Sequence, residues 1–263
     1  MDAPERRRTG YRGNRRQSIV SDGPDELIGG LAAIFAHPDD ESFGCAGALA
    51  LAHDAGRVTR LLVATKGEAG MPEGGPPEGS FGDVRERELV TAAQTIGLDE
   101  VTILEGYADG GLAEASFAQL VDDIAEWLAS RRPDAVITFG SHGVTGHPDH
   151  VVIGSAVRWA VERLAEVGRA PNAVYVVSPV FGPGPNRYDL SPEEQGATHR
   201  VEVTPVAERK VAALEAHASQ SDTAEEIAAL RSAIEAGLPI YEGYTRVRPA
   251  VPAPHPKFDA RIW

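Results

Sequence analysis

The sequence predicts an α/β fold: a Rossmann-like, mostly parallel sheet flanked by helices, with a smaller C-terminal lid-like segment. Three observations predict it. Short continuous runs of Val, Ile, Leu and Ala recur along the chain, the mark of strands buried on both faces. Stretches with helical periodicity alternate with them, and alternating β and α implies parallel strands joined by right-handed crossovers. The 263 residues, 42% of them hydrophobic, suffice for one large domain with its own core.

Leu31–Ala36, Val58–Ala64, Val101–Leu104, Ala135–Phe139 and Val174–Val177 read as the buried strands. Helical patterns fill the intervals at about 44–55, 83–97, 116–131 and 149–168. Lys66–Gly82 is rich in Gly, Pro and Glu and lacks periodicity, and residues 179–198 form a second long connection; such loops at the ends of strands tend to carry function. A short strand at His199–Val203, helices near 205–218 and 223–235, and a last strand near Tyr241–Val247 complete the chain. The expected division is a disordered basic tail over 1–26, a main domain over 27–248 whose smaller C-terminal part spans 170–248, and a Pro-rich tail over 249–263. No internal repeat is visible.

The formal net charge of −14 hides an asymmetry, because residues 1–16 hold six arginines against Asp2 and Glu5. The body is therefore strongly acidic, which disfavours a nucleic-acid partner. Arg15-Arg16 invites an export-signal reading that fails, since the polar stretch 21–26 stands where an apolar segment is required. No apolar run approaches the ~20 residues of a membrane span. Cys45 is the single cysteine, which excludes an intramolecular disulfide and points to a reducing, cytoplasmic location. Cys45 itself reads as a small buried helix residue. Homo-oligomerisation is left open.

Two short clusters carry the chemistry. His37-Pro38-Asp39-Asp40-Glu41 follows the first predicted strand, and Gly146-His147-Pro148-Asp149-His150 follows the fourth. In doubly wound sheets ligands bind beyond the carboxyl ends of the strands, where both clusters fall. Pro38 favours a turn, which lets His37 and Asp40 converge while Asp39 aims elsewhere. His150 completes three ligands, the arrangement of a catalytic zinc with an open position for water. Zn2+ is the expected ion, and Fe2+ suits the same ligands. Asp39 is then free to take a proton from water, and His147 to stabilise an oxyanion or protonate a departing amine, which together describe amide or ester hydrolysis. Simpler roles compete. Asp39, Asp40 or Ser42 could cap the following helix, as could Asp149 at the second cluster. His142 reads as a loop histidine, and His53, His199 and His255 as structural or exposed.

With these residues in view, the chain closely resembles the PIG-L, or LmbE-like, deacetylases. Ala36–Glu41 matches their opening Ala-His-Pro-Asp-Asp-Glu, and Gly146–His150 their Gly-His-x-Asp-His. Thr65–Gly70, the Arg85–Glu88 helix, Lys210 and His217-Ala218-Ser219-Gln220 resemble further family patterns in the same order. The resemblance implies a zinc-dependent N-deacetylase of an amino sugar such as an N-acetylglucosaminyl compound. It implies His37, Asp40 and His150 as ligands, Asp39 as base and His147 as acid or electrostatic residue. Arg85 is implied to contact substrate, with Glu88 close by and Glu68 on the rim loop. The expected partner is a small-molecule amino sugar or amide, not a membrane or a nucleic acid. Hydrolysis of a larger amide, such as a mycothiol S-conjugate or an antibiotic intermediate, is the alternative, and a non-catalytic metal-dependent binding protein comes third.

Overall fold

The structure is a computed structural model that describes residues 17–20, 29–70, 80–180, 188–249 and 262–263, the first four by backbone alone. In chain order its strands are β1 (Gln17–Val20), β2 (Leu31–Phe35), β3 (Thr59–Val63), β4 (Glu100–Ile103), β5 (Ala135–Thr138), β6 (Ala173–Val177), β7 (His199–Glu202) and β8 (Tyr241–Arg248). The helices are α1 (Asp40–Gly44), α2 (Ala46–Asp54), α3 (Phe81–Ile96), α4 (Phe117–Arg131), α5 (Pro148–Glu166), α6 (Pro192–Gln195), α7 (Ala207–Ala216) and α8 (Thr223–Glu235).

The strands form one sheet in the order β1-β4-β3-β2-β5-β6-β8-β7. β4, β3, β2, β5 and β6 are parallel, as the continuous apolar runs require. β2, β3, β4, β5 and β6 are buried at every residue. The chain moves outward from β2 through β3 to β4, then returns to β2's other side to place β5 and β6. Strand order therefore reverses between β2 and β5, the switch point at which such sheets bind ligands. Each cluster follows one of these two strands. α4 packs on α5, while α2, α3 and α7 pack on one another.

Within the expected N-terminal tail, Gln17–Val20 is an edge strand antiparallel to β4. The rest of residues 1–26 lies outside the described residues, as does the Pro-rich tail apart from Pro249, Ile262 and Trp263. The C-terminal segment contributes β8, antiparallel to β6, and β7, antiparallel to β8, and lays α7 against α3. The helix expected at 44–55 is α2, and Cys45, whose φ of −157° is extended, separates it from α1, a short helix that precedes the expected start. The 205–218 helix begins as a 3-10 turn over Thr204–Val206. Among the described residues no helix is long and apolar enough to cross a membrane.

The α1–α2 elbow is fixed from the C-terminal segment. Gly47 and Ala48 at the start of α2 donate their N–H groups to the Glu242 carboxylate, at 2.9 and 2.8 Å. Buried Lys210 pairs with Glu242 at 2.8 Å and donates to the carbonyls of Ser42 and Phe43. An acid at a helix N-terminus offsets its partial positive charge, and the lysine offsets the acid.

The entry into β2 is equally constrained. Gly30 has φ +84°, and a Cβ there would lie 2.0 Å from the carbonyl oxygen of Val58. Gly30→Ala is expected to destabilise the fold by at least about 2 kcal/mol, from left-handed strain and overlap with backbone that cannot yield. Urea unfolding checks it, and a loss below about 1 kcal/mol would contradict this origin.

Candidate active site

The turn after β2 organises the first cluster. Asp40 Oδ2 accepts the backbone N–H groups of Ala36 and His37, at 3.1 and 2.9 Å, folding its carboxylate back over the end of β2. Asp39 stands at φ +107°, a conformation a non-glycine residue holds only when its surroundings enforce it. Glu41 supplies part of that enforcement, because its Oε2 accepts the Asp39 N–H at 3.1 Å. Glu41 Oε1 is held by the Ser42 hydroxyl at 2.6 Å and by His217 Nε2 at 2.9 Å. Asp39 is the N-cap residue of α1, yet its side chain makes no capping bond. That carboxylate instead meets Arg85 Nη2 at 2.8 Å, and the same guanidinium donates to the carbonyl of Pro38.

The second cluster opens α5. Its capping acceptor is His147, not Asp149: the Asp149 N–H donates to His147 Nδ1 at 3.2 Å. The proton of that ring therefore sits on Nε2, which is free to donate. Asp149 is buried, accepts from the N–H groups of Gly110 and Leu112, and lies 3.3 Å from His37 Nε2.

The donor set fits a transition-metal ion. His37 Nε2–H donates to Asp109 Oδ1 at 3.0 Å, so in the neutral ring Nδ1 is the bare nitrogen. His150 Nδ1–H donates to the Gly143 carbonyl at 3.0 Å, which leaves Nε2 bare. The two bare nitrogens are 3.2 Å apart, and Asp40 oxygens lie 3.7 Å from the first and 3.2 Å from the second. Donor atoms about 2.1 Å from one tetrahedral ion stand about 3.4 Å apart. His147 also offers a nitrogen within 4.8 Å of those of His37 and His150. On the other face of His37, Asp109 and Asp149 form a second group of donor atoms. There Asp149 is already committed to two backbone donors, so this face supports the His37 ring from outside.

The field at the site is negative. Burial disfavours a charged His37, yet Asp109, Asp149 and Asp40 outweigh it and push the ring's pKa up to about 10. A field that would hold a proton there also favours a cation in its place. Burial likewise opposes ionisation of Asp40, but the His150 and His37 rings hold its carboxyl well below the usual range. Burial pushes the Asp39 carboxyl up to about 7, with Arg85 acting in the opposite direction. Burial and the neighbouring His37 and His150 rings lower the pKa of His147, favouring its neutral, Nε2–H form.

The structure thus brings together His37, Asp40, His150, Asp39, His147 and Arg85. Glu68 is exposed on the rim and accepts the Asp109 N–H at 2.9 Å. Glu88 has a different partner: both its oxygens are taken by Ser219, at 2.8 and 2.7 Å, so it fastens the connection after α7 to α3. His142 is an exposed loop residue near the Asp189 carbonyl, and Cys45 is buried with its thiol pKa raised by burial. Sequence reasoning missed Asp109. Its signal was an acidic residue before Gly110-Gly111, just beyond the third parallel strand.

The chain has relatives among known proteins. The PIG-L model, described as GlcNAc-PI de-N-acetylase, matches residues 32–161, which hold both clusters. The chain is 31% identical over 277 residues to the 1D-myo-inositol 2-acetamido-2-deoxy-alpha-D-glucopyranoside deacetylase of Nakamurella multipartita, covering 89% of this chain and 93% of that one. It is 34% identical over 195 residues to a Bacillus anthracis protein named probable N-acetyl-alpha-D-glucosaminyl L-malate deacetylase 2, covering 72% and 80%. Among solved structures, 4-carboxy-2-hydroxymuconate hydratase of Pseudomonas putida KT2440 superposes with a TM-score of 0.64 at 18% identity, over 86% of this chain and 99% of that one. The fold alone therefore does not select deacetylation. Likeness to deacetylases along nearly the whole length, over a segment containing both histidine–acid clusters, makes this chain a member of the PIG-L deacetylase family.

Proposed function

We propose that the protein is a divalent-metal-dependent hydrolase that removes the acetyl group from an N-acetylglucosaminyl compound. The observation that carries this reading is the convergence of two bare imidazole nitrogens and the Asp40 carboxylate beside an Asp39 held by Arg85. His37, Asp40 and His150 would hold the ion, and Zn2+ suits them best. Such an ion polarises an acyl oxygen and lowers the pKa of water from about 16 to about 7.

The protein's own groups do the rest. Asp39 accepts the proton of the attacking water as oxygen adds to the acyl carbon. Arg85 fixes the Asp39 carboxylate in one orientation through its bonds to Asp39 and Pro38. His147 Nε2–H donates a hydrogen bond to the oxygen that gains negative charge, and the proton held by Asp39 passes to the amine as the C–N bond breaks. A cleft of about 360 Å3, lined by Lys66, Glu68, Asp83, Glu105 and Tyr107 among others, is tied to the site through Glu68, which accepts the Asp109 N–H. Its many donors and acceptors suit a hydroxyl-rich molecule. The two relatives named above act, by their names, on N-acetylglucosaminyl compounds with inositol and malate as the second part.

Zinc-loaded protein is expected to release acetate from at least one member of a panel of N-acetylglucosaminyl compounds, the inositol and malate conjugates included. Turnover confined to larger amide conjugates would replace this reading by that of an amidase. Wild type and Asp39→Ala that are equally inert across both panels would make binding the better account.

A further inference from the structure

The ligand His150 is supported by a loop that is itself held in a strained shape. Gly143 and Val144 both have left-handed backbone, with φ +65° and +62°. A β-branched residue adopts that conformation only under constraint. At Gly143 a Cβ would lie 2.5 Å from His150 Cβ, so the backbone approaches the ligand as closely as it can. The constraint on Val144 comes from Glu194, fully buried in the short helix α6. Glu194 Oε1 accepts the Val144 N–H at 3.0 Å, and Oε2 accepts the Ser191 N–H at 2.8 Å. The Glu194 backbone is anchored in turn, its carbonyl accepting the Ser178 hydroxyl at 2.7 Å.

The Val144 N–H and the Gly143 carbonyl belong to one peptide unit. The carboxylate therefore binds one end of a peptide whose other end accepts the proton of His150 Nδ1. A carboxylate at the N–H polarises the peptide, strengthens its carbonyl as an acceptor and makes the imidazole a better electron donor. We propose that Glu194 is a positioning residue for the metal site, acting on His150 through the Gly143–Val144 peptide. This rests on the reading of His150 as a metal ligand. Ordinarily a carboxylate touches the ligating histidine directly, as Asp109 touches His37; on the His150 side a peptide stands between them.

Two neighbours make the inference separable. Glu193 bonds the same loop at Ser141 N, 2.8 Å, and pairs with Arg158, but has no link to His150. Gly140 lies against Glu194, so that a Cβ there would meet Glu194 Oε1 at 2.6 Å. Gly140→Ala therefore moves the carboxylate without removing it.

The test is Zn2+ affinity of the full chain by chelator competition, with the visible spectrum of the Co2+-loaded protein as a second readout and thermal melting of the metal-free form as a check on folding. Glu194→Gln is expected to weaken Zn2+ binding by about 10- to 100-fold and to change the Co2+ bands. Gly140→Ala is expected to do the same, and Glu193→Gln to leave both unchanged. Should Glu194→Gln fail to fold, Gly140→Ala carries the test alone. Wild-type affinity and spectrum in a folded Glu194→Gln or Gly140→Ala protein would overturn the inference, as would an equal loss in Glu193→Gln. Wild type that takes up no Zn2+ would overturn the metal reading itself, an outcome distinct from the others.

Discussion

Replacing Asp39 by asparagine is expected to lower kcat by about 100- to 10,000-fold, the range set by loss of a positioned general base. KM and bound metal should stay close to wild type, because the proposed ligand atoms of His37, Asp40 and His150 are untouched. Asparagine is the informative choice. It tolerates the left-handed backbone that Asp39 adopts at φ +107°, so the turn keeps its shape. Arg85 retains its bonds to the carbonyls of Pro38 and Gly67. The pH profile adds an independent check. Asp39 must be ionised to accept a proton, so kcat/KM falls as pH drops through its pKa. Burial pushes that pKa up to about 7 in the metal-free site, and a divalent cation alongside pulls it down. The acid limb of the loaded enzyme should therefore lie below 7 and disappear from the residual activity of Asp39→Asn. Metal lost together with activity, or more than about a tenth of the activity retained, would remove Asp39 from the role of base.

Much of this site was legible in the sequence because its chemistry is local. A buried parallel strand is a continuous apolar run, and a polar cluster at its end marks the face where ligands bind. Five such runs located the core strands to within two residues at each end, and two clusters supplied the histidines and acids that the fold brings together. What was not legible depends on contacts between distant segments. Nothing near His37 in sequence announces Asp109, which reaches the ring from the connection after β4. A cap was one of the roles open to Asp149, since an acid at a helix start often is one. Its carboxylate instead turns inward to two backbone N–H groups of another loop, and the cap falls to His147. The pattern around Arg85 placed Glu88 near substrate, but the structure gives both its oxygens to Ser219, 131 residues away. The sequence pattern starts the helix near Gly44 and so lacks α1, the short helix that Cys45 separates from α2. The fixed carboxylate of Glu242, more than 190 residues downstream, receives the N–H groups where the helix starts again.

His150→Ala is expected to abolish the stabilisation that Zn2+ gives the wild type and to take hydrolysis to background. An ion that binds only the folded protein stabilises it by RT ln(1 + [L]/Kd), about 2.7 kcal/mol when free Zn2+ is 100 times Kd. For a domain of this size that is a rise in Tm of roughly 5–10 °C. The geometry explains why a single ligand should carry so much. His150 Nε2 is the donor common to the two shortest contacts of the set, 3.2 Å to His37 Nδ1 and 3.2 Å to Asp40 Oδ1. Its ring is stacked 4.1 Å from Phe139 and pinned by Gly143, so little reorganisation is needed when an ion arrives. Of the three proposed ligands alanine leaves one imidazole and one carboxylate, and His147, the remaining nearby imidazole, has its Nδ1 taken by the Asp149 N–H. The melt should be run with and without Zn2+ for both proteins. A zinc-dependent rise in His150→Ala as large as that of wild type would exclude His150 as a ligand. It would point instead to the face of His37 occupied by Asp109 and Asp149, which is the other grouping of donor atoms around that ring.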